Sequence, residues 1–258
     1  MQTVLFTSTI FGPIHSRRLG SSLGVNLMPA DGKVCSFDCL YCEAGFNAQG
    51  PGKKGIPPRE EVGRLLEDKL KEMQAKGMPL DVITFSGNGE PTLHPDFKGV
   101  VDDVIELRDR YYPAAKVSVL SNATRLHKPD VADALRKVDN NILKLDSAFD
   151  STVRLLDRPT GSGYSVADVI EGMKQFDGEC IVQTMILRGE HDGKVIDNTT
   201  DIETDALIAA CKEIGPREVM LYSIDRKTPA EHLVKVEREE LEKIADRYRA
   251  AGLNVKVS

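Results

Sequence analysis

The stretch Cys35-Ser36-Phe37-Asp38-Cys39-Leu40-Tyr41-Cys42 places three of the five cysteines of this chain in one short segment. Thiolates this close together form disulfides, bind a soft metal such as zinc, or ligate an iron–sulfur cluster. An odd number of cysteines, a chain of 258 residues and an opening that does not read as a secretory leader disfavour a small secreted domain held by disulfides. The spacing therefore predicts a metal or cluster site.

A structural zinc site is the first alternative. It needs four ligands, usually supplied by two pairs, and the sequence contains only one CxxC pair, Cys39 and Cys42. Zinc would therefore need a distant fourth ligand. The candidates are Cys180, Cys211, His15 and His94.

An iron–sulfur cluster is the second alternative. On a continuous helix, Cys35 and Cys42 would lie about 10 Å apart along the axis, which is too far for one compact cluster. The segment is therefore predicted to be a loop that wraps round its metal, and Gly32 and Gly45 permit tight turns at its two ends. Three thiolates on a four-iron cluster leave one iron open to a substrate or cofactor.

The CxxxCxxC spacing, with Tyr41 just before the last cysteine, resembles the signature of the radical S-adenosylmethionine (SAM) superfamily. Residues 11–20 and 86–92 are similar to a group of Fe–S oxidoreductases related to the archaeal wyosine-base synthases, which act on tRNA. The likeness extends from about Phe11 to the loop after Ser223. It implies that the three cysteines hold one [4Fe–4S] cluster and that Tyr41 belongs to the cofactor-binding residues.

The resemblance also implies an activity. The reduced cluster would cleave SAM to a 5′-deoxyadenosyl radical, and this radical would abstract hydrogen from an unidentified substrate. A flavodoxin- or ferredoxin-like protein would supply the electron. The alternatives are an activase of a glycyl-radical protein, a tRNA base-modifying enzyme, and a non-catalytic Fe–S or zinc module.

The composition is that of a globular chain. It is 41% hydrophobic and 29% charged, which allows a large core, and it has no apolar run of the ~20 residues that span a membrane. We expect a cytoplasmic protein.

Strand and helix patterns alternate along the chain. Strands are predicted at 22–28, 81–86, 116–120, 142–146, 180–187 and 217–222, and helices at 59–75, 95–108, 129–137, 165–174 and 204–213. This alternation indicates an α/β fold with parallel strands, either an open doubly wound sheet or a barrel. The resemblance implies a partial (β/α)6 barrel of radical SAM type. It would occupy residues 1–225, and the helix at 238–249 and strand at 253–257 would form a short C-terminal extension, 226–258.

Ligands of parallel α/β proteins collect at the carboxyl ends of the strands. The second strand is followed by Gly87-Asn88-Gly89-Glu90-Pro91, where two glycines let the backbone approach a ligand. Alone, this is an ordinary turn. The resemblance implies that it holds the ammonium of SAM, with Glu90 either pairing with that ammonium or capping the next turn.

Three further strand ends carry polar side chains. Ser121 and Asn122 follow the third strand and suit a ribose or a carboxylate, or a helix N-cap. Lys144 and Asp146 lie on one face of the fourth strand, where they form a salt bridge or contact a ligand. Tyr222 and the loop Arg226-Lys227-Thr228-Pro229 end the sixth strand, where an adenine edge or a substrate could be received.

The remaining cysteines and the N-terminal basic residues have different expected places. Cys180 and Cys211 are predicted to be small core residues. His15, Arg17 and Arg18 resemble the N-terminal motif of the related group, so they could approach the cluster or substrate.

The charge distribution argues against strong tRNA binding. The net charge is −6 and the pI is about 5.5, which is unlike a protein with a large phosphate-binding surface. Residues 1–60 hold six Lys and Arg against four Asp and Glu, so the remaining chain carries −8. We expect weak tRNA binding or none, confined to the side that carries Arg17, Arg18, Lys53 and Lys54.

Overall fold

A computed structural model describes residues 4–16 and 20–258. The predicted positions of Arg17 and Arg18 lie outside the described residues. Eight strands form the main sheet: β1 (Ile10–Ser16), β2 (Gly20–Val25), β3 (Val82–Phe85), β4 (Lys116–Ser121), β5 (Asn140–Lys144), β6 (Ile181–Met185), β9 (Glu218–Tyr222) and β11 (Val255–Val257). A second sheet contains β7 (Leu187–His191), β8 (Lys194–Asp197) and β10 (His232–Lys235).

Seven α-helices accompany the strands within the described residues: α1 (Arg59–Ala75), α2 (Phe97–Tyr111), α3 (Pro129–Leu135), α4 (Asp150–Leu156), α5 (Val166–Lys174), α6 (Asp201–Ile214) and α7 (Arg238–Ala250). The predicted bounds of α1 are confirmed. Its buried residues Val62, Leu66, Leu70 and Met73 recur at helical spacing and face the core. α4 was not predicted, because its seven residues contain too short an apolar pattern.

The main sheet has the order β1-β2-β3-β4-β5-β6-β9-β11. All pairs from β2 to β11 are parallel, and the six predicted strands are β2, β3, β4, β5, β6 and β9. No pairing joins β1 to β11 in the described part of the chain, so the sheet is open. The predicted α/β fold with a partial barrel is confirmed.

Three parts of the sheets differ from the predicted elements. β1 pairs antiparallel with β2 and was missed because Gly12 and Pro13 interrupt its pattern. The predicted strand 180–187 ends at Met185, and the chain then enters the second sheet as β7. β11 joins the main sheet beside β9, so the last part of the chain continues this sheet. The domain division at residue 225 stays a prediction.

The main core lies between the sheet and the helices. Leu23, Phe85 and Val119 are fully buried strand residues of this core. Cys180 and Cys211 are also fully buried there, as predicted. None of the helices in the described ranges is long and apolar enough to cross a membrane.

Candidate functional site

The segment that follows β2 forms a closed loop, here called the cysteine loop (residues 33–45). Lys33 is almost completely buried, and its Nζ donates a 2.7 Å hydrogen bond to the carbonyl oxygen of Gly45. The same Nζ lies 3.7 Å from Oδ1 of Asp38. One cation therefore joins both ends of the loop to its middle, and the predicted loop conformation is confirmed.

The three thiols of the cysteine loop converge on one apolar cluster. Cys39 is buried in it beside Phe37, and Cys35 and Cys42 pack against it half-buried. Burial raises the pKa of Cys35 to about 12, and burial together with the nearby Asp157 raises the pKa of Cys39 well above its usual value. The neighbouring thiols of Cys35 and Cys42 raise the pKa of Cys39 further.

This donor set fits an iron–sulfur cluster, which takes several thiolates from one short loop. The thiol of Cys35 also accepts from backbone N–H of Phe37 at 3.4 Å and from Nδ2 of Asn122 at 3.7 Å. Such donors stabilise the thiolate form that ligates iron. Within residues 4–16 and 20–258, no three His, Cys, Asp or Glu side chains form a site for a single metal ion.

A second segment, here called the backing segment (residues 156–160), runs antiparallel to the cysteine loop. Its backbone hydrogen bonds, 2.9 to 3.0 Å long, connect Leu156 with Leu40, Asp157 with Asp38, and Thr160 with Ser36. The two segments thus form a short irregular ribbon, with a bridge between Phe37 and Pro159. The backing segment follows the unpredicted helix α4, so sequence reasoning missed it.

Arg158 of the backing segment holds the cysteine loop from outside. Its φ of +52° is a left-handed conformation that residues other than glycine adopt only with strain. The guanidinium lies 3.2 Å from Oδ2 of Asp38 and 5.0 Å from the ring centre of Phe46. Arg158 therefore connects the middle of the cysteine loop with Phe46, the first residue after the loop.

A buried polar network lies behind the thiols. Tyr41 donates its hydroxyl to Asp146 and contacts Oδ1 of Asp157 at 3.2 Å, and Cys39 donates its thiol to the same oxygen at 3.2 Å. Lys144 donates to the hydroxyl of Tyr41 and to Oδ2 of Asp146, the latter at 3.1 Å. The salt bridge between Lys144 and Asp146 is one of the two predicted interpretations.

The charges of this network act on one another. Burial raises the pKa of Asp157 strongly, and the adjacent Asp146 raises it further. At Lys144, burial is the largest single influence and lowers the pKa, but the electrostatic effects of Asp146, Tyr222, Cys39 and Asp157 together outweigh it, so the pKa rises. Tyr222 contributes to the shifts at Lys144 and Tyr41, so it lies at the edge of the network. One firmly charged lysine therefore compensates the acidic groups beside Cys39.

The stretch after β3, here called the glycine loop (residues 87–91), lies against the start of the cysteine loop. Val34 donates to the carbonyl of Asn88 at 3.1 Å and accepts from the N–H of Glu90 at 3.0 Å. Gly89 has a φ of +143°, and a Cβ there would lie 1.8 Å from the carbonyl oxygen of Val34. Glycine is thus required for the close approach of the two loops.

Glu90 connects the glycine loop with the loop after β4. Its carboxylate accepts from Thr92 N (3.1 Å), Thr92 Oγ1 (2.6 Å), Ser121 Oγ (2.8 Å) and Asn122 N (2.7 Å). Burial raises the pKa of Glu90 in spite of these hydrogen bonds. The side chain caps the 3-10 turn Pro91–Leu93, which is one of the two predicted interpretations.

Asn122 continues this connection to the thiols. Its Nδ2 donates to Ser36 Oγ at 2.9 Å and reaches the sulfur of Cys35, while its Oδ1 accepts from Thr124 Oγ1 at 2.8 Å. The loops after β3 and β4 therefore both contact the cysteine loop, which itself follows β2.

A cavity of about 340 Å³, here called the site cavity, opens beside Cys42 inside the partial barrel. Gly87 and His15 line it, together with Gln183 and Met220 from the strands. Arg226 also lines it and forms an ion pair with Glu43 at its rim. The sequence places Arg226 in the loop after the sixth predicted strand, where a substrate could be received.

The structure adds residues that the sequence analysis did not select. Lys33, Asp157 and Arg158 all contact the cysteine loop, but they are single charged residues without a motif of their own. The sequence signal here is the segment from Arg158 to Gly163, in which Pro159, Gly161 and Gly163 indicate a turn.

Comparisons with known proteins support the fold and the family. The model of the radical SAM superfamily matches residues 31–202. A UPF0026 protein of Synechocystis is 31% identical over 85% of this chain and 77% of that protein. A protein of Brachyspira hyodysenteriae named GTPase Obg is 30% identical over 98% of this chain, but the chain spans only 35% of its length.

Two solved structures share the fold at low sequence identity. A radical SAM methyltransferase from Sphaerobacter thermophilus is 15% identical with a TM-score of 0.67, covering 92% of this chain and 65% of that one. TYW1 with a lysine-pyruvate adduct bound is 14% identical with a TM-score of 0.59, covering 89% of this chain and 73% of that one. The family model, the partial barrel and the three thiols in one loop agree, and the chain belongs to the radical SAM superfamily.

Proposed function

We propose that this protein is a radical SAM enzyme in which Cys35, Cys39 and Cys42 ligate one [4Fe–4S] cluster. The observation that carries the proposal is the convergence of these three thiols on one apolar cluster beside the site cavity. When bound, the cluster and SAM together supply a 5′-deoxyadenosyl radical that abstracts a hydrogen atom from the substrate.

The loops at the carboxyl ends of the strands would hold SAM. The backbone of Gly87, Asn88 and Gly89 lies against the cysteine loop and offers polar groups at close range, because no Cβ intervenes at the glycines. Glu90 fixes this backbone relative to Asn122 through its four hydrogen bonds. In this proposal Glu90 acts by holding both loops in place.

The remaining predicted residues would surround the adenosyl end. Ser121 ends β4, Asn122 follows it, and Tyr222 ends β9, so all three lie at the same edge of the sheet. Lys144 and Asp146 support this edge from within, since their salt bridge orients the hydroxyl of Tyr41 beside the thiols. Pro91 begins the capped turn that ends the glycine loop.

The apolar surroundings of Cys39 would exclude water from the cluster. Phe37, Leu40 and Leu156 are fully or almost fully buried around the thiols. A water-poor site protects a reactive radical from side reactions and strengthens the electrostatic interactions inside it. The site cavity of about 340 Å³ would receive the reacting part of the substrate.

The electron would come from a flavodoxin- or ferredoxin-like protein. Arg158 contacts the cysteine loop from outside and Arg226 lies at the rim of the site cavity, with 38% and 60% of their side chains exposed. These cations suit an electron carrier with an acidic docking face.

The test is an anaerobic reconstitution with iron and sulfide. We expect the wild-type chain to gain broad visible absorbance and, with reductant and SAM, to release 5′-deoxyadenosine. The Cys42→Ala variant should lose both properties, because two thiolates remain. The matched control is Cys211→Ala, which removes a thiol that is buried in the main core away from the cysteine loop.

Each outcome separates the alternatives. Full iron retention in Cys42→Ala, or iron loss in a folded Cys211→Ala protein, would contradict the ligand assignment. Zinc binding without visible absorbance would favour a structural metal site. A loaded cluster that releases no 5′-deoxyadenosine would identify a non-catalytic Fe–S module. Neither the tRNA nor the activase alternative is favoured by a contact in the structure.

A further inference from the structure

A second cavity, here called the outer cavity, lies beside the cysteine loop and has a volume of about 390 Å³. It is bounded by the loop after β4 and by the connection between α4 and α5, and none of its described lining residues also lines the site cavity. Its polar lining comprises Ser36, Thr124, Arg125, His127, Thr160, Tyr164, Ser165 and Asp168. This volume is in the range of cavities that bind small molecules.

Arg125 is the exceptional residue of the outer cavity. Within residues 4–16 and 20–258, the side chain of every other arginine makes a hydrogen bond or an ion pair, but the side chain of Arg125 makes neither. Its Nε is completely buried without an acceptor. A buried donor without a partner costs free energy. The two terminal nitrogens of the same guanidinium also have no partner among the described residues but are not buried, so an acceptor from outside the chain could reach them.

The neighbouring groups suit an oxyanion at this place. Ser36 and Thr124 contact each other through their hydroxyl oxygens at 2.7 Å, and the hydroxyl of Thr160 donates to the carbonyl of Ser36 at 3.1 Å. These hydroxyls are already used within the protein, whereas the guanidinium of Arg125 still has free donors. Arginine binds phosphate and carboxylate groups through paired N–H donors.

Two other features of the lining do not favour an anion. The first turn of α5 is largely capped, because Val166 N donates to Asp150 and Asp168 N donates to Ser165. Asp168 carries an exposed carboxylate on the lining, which opposes an anion. The guanidinium is therefore the group that would hold the ligand, and Asp168 would weaken its binding.

We propose that the outer cavity binds a small ligand through an oxyanion, a phosphate or carboxylate group, held by Arg125. The ligand would contact the cysteine loop at Ser36, next to Cys35, in a place separate from the site cavity. This site is independent of the reaction proposed above, because its binding requires neither SAM nor reductant.

The test uses the full chain, purified anaerobically, with inorganic phosphate and acetate as probes. Binding is measured by calorimetry and by the shift in unfolding temperature, against chloride at matched ionic strength. We expect stabilisation beyond that given by chloride. A larger effect of phosphate indicates a phosphate ester as the natural ligand, and a larger effect of acetate indicates a carboxylate.

Two variants with opposite expected effects make the assignment specific. Arg125→Gln should weaken binding of the effective probe by about tenfold or more, since it removes a charge-assisted hydrogen bond. Asp168→Asn should strengthen binding by a few fold, because it removes an opposing charge. The matched control is Arg64→Gln, an exposed surface pair whose loss should leave binding unchanged.

Three results would overturn the proposal. The first is that neither probe binds the wild-type chain more strongly than chloride. The second is undiminished binding by a folded Arg125→Gln variant. The third result applies if that variant does not fold, and it is unchanged affinity in Asp168→Asn. If the role of Arg125 were only structural, the charge at position 168 would have no effect on ligand binding.

Discussion

The two ends of the main sheet each hold a cavity, and the smaller one carries the candidate site. The site cavity of about 340 Å³ lies toward the carboxyl ends of the strands, whereas a lower cavity of about 660 Å³ lies at their amino ends. A thin apolar layer of Ile142, Ile181 and Met220 separates them, and Met220 lines both.

The chemistry of the two linings differs more than their volumes. The lower cavity has charged residues that pair with each other or with neighbours, for example Lys256 with Glu218 at 2.6 Å and Asp139 with Arg108 at 2.8 Å. Its described lining contains no cysteine. The site cavity is bordered by the cysteine and glycine loops. Volume alone would select the lower cavity, whereas the strand direction favours the site cavity, because ligands of parallel α/β proteins collect at the carboxyl ends of the strands.

The largest expected effect comes from a substitution at the close contact between the glycine loop and the cysteine loop. Gly89→Ala places a Cβ 1.8 Å from the carbonyl of Val34 and requires a backbone conformation that is almost confined to glycine. We expect a loss of about 3 kcal/mol or more in the free energy of unfolding, together with failed iron loading. Urea denaturation and iron analysis measure the two effects.

The control for this variant is Gly77→Ala. Gly77 also has a positive φ, +63°, but a Cβ there meets open space. It should cost only about 1 to 2 kcal/mol and leave iron loading intact. Equal behaviour of the two variants would mean that the contact between Gly89 and Val34 is unimportant.

A second pair of variants compares one lysine from each end of the sheet. Lys144→Met leaves the completely buried Asp146 without its cation, and breaking such a pair costs about 3 kcal/mol, at most about 5. Lys256→Met removes an ion pair in which the lysine side chain is 68% exposed, so we expect less than about 1 kcal/mol. Urea denaturation of both variants tests this, and a cost at Lys256 equal to that at Lys144 would contradict the difference between the ends.

The sequence predicted the regular part of this architecture well. The six parallel strands follow from apolar runs bounded by turns, and α1 follows from Val62, Leu66, Leu70 and Met73 at helical spacing. The loop conformation of residues 33–45 follows from the spacing of the three cysteines alone. These features depend on local patterns, which a single sequence contains.

The parts that were missed depend on contacts between distant segments. Arg158 lies 120 positions after Asp38 in the chain, and no local pattern marks their ion pair. The second sheet, β7-β8-β10, consists of short strands whose exposed residues show little alternation. The role of Glu90 was left open between two interpretations, because only the fold brings Ser121 and Asn122 to its carboxylate.

The smallest expected effect concerns tRNA, which neither end of the sheet is suited to bind. Non-specific affinity requires several Lys or Arg contacts to phosphates, but the described cations at the lower cavity are largely offset by Asp81, Asp139 and Glu218. At the site end, Arg226 is paired with Glu43. Only weak binding is therefore expected in filter assays at ~0.15 M salt, where exposed charges are screened beyond about 8 Å.

Charge-reversal variants make this expectation specific to one end. Arg17→Glu with Arg18→Glu changes the basic N-terminal motif, and Lys116→Glu with Lys256→Glu changes the lower cavity. We expect neither pair to alter the weak binding of bulk tRNA by more than a small factor, because the described residues form no continuous basic surface at either end. Sub-micromolar binding that is lost only in the Arg17 and Arg18 variant would instead indicate a tRNA substrate that is bound through the basic N-terminal motif. That result would make tRNA base modification the leading function.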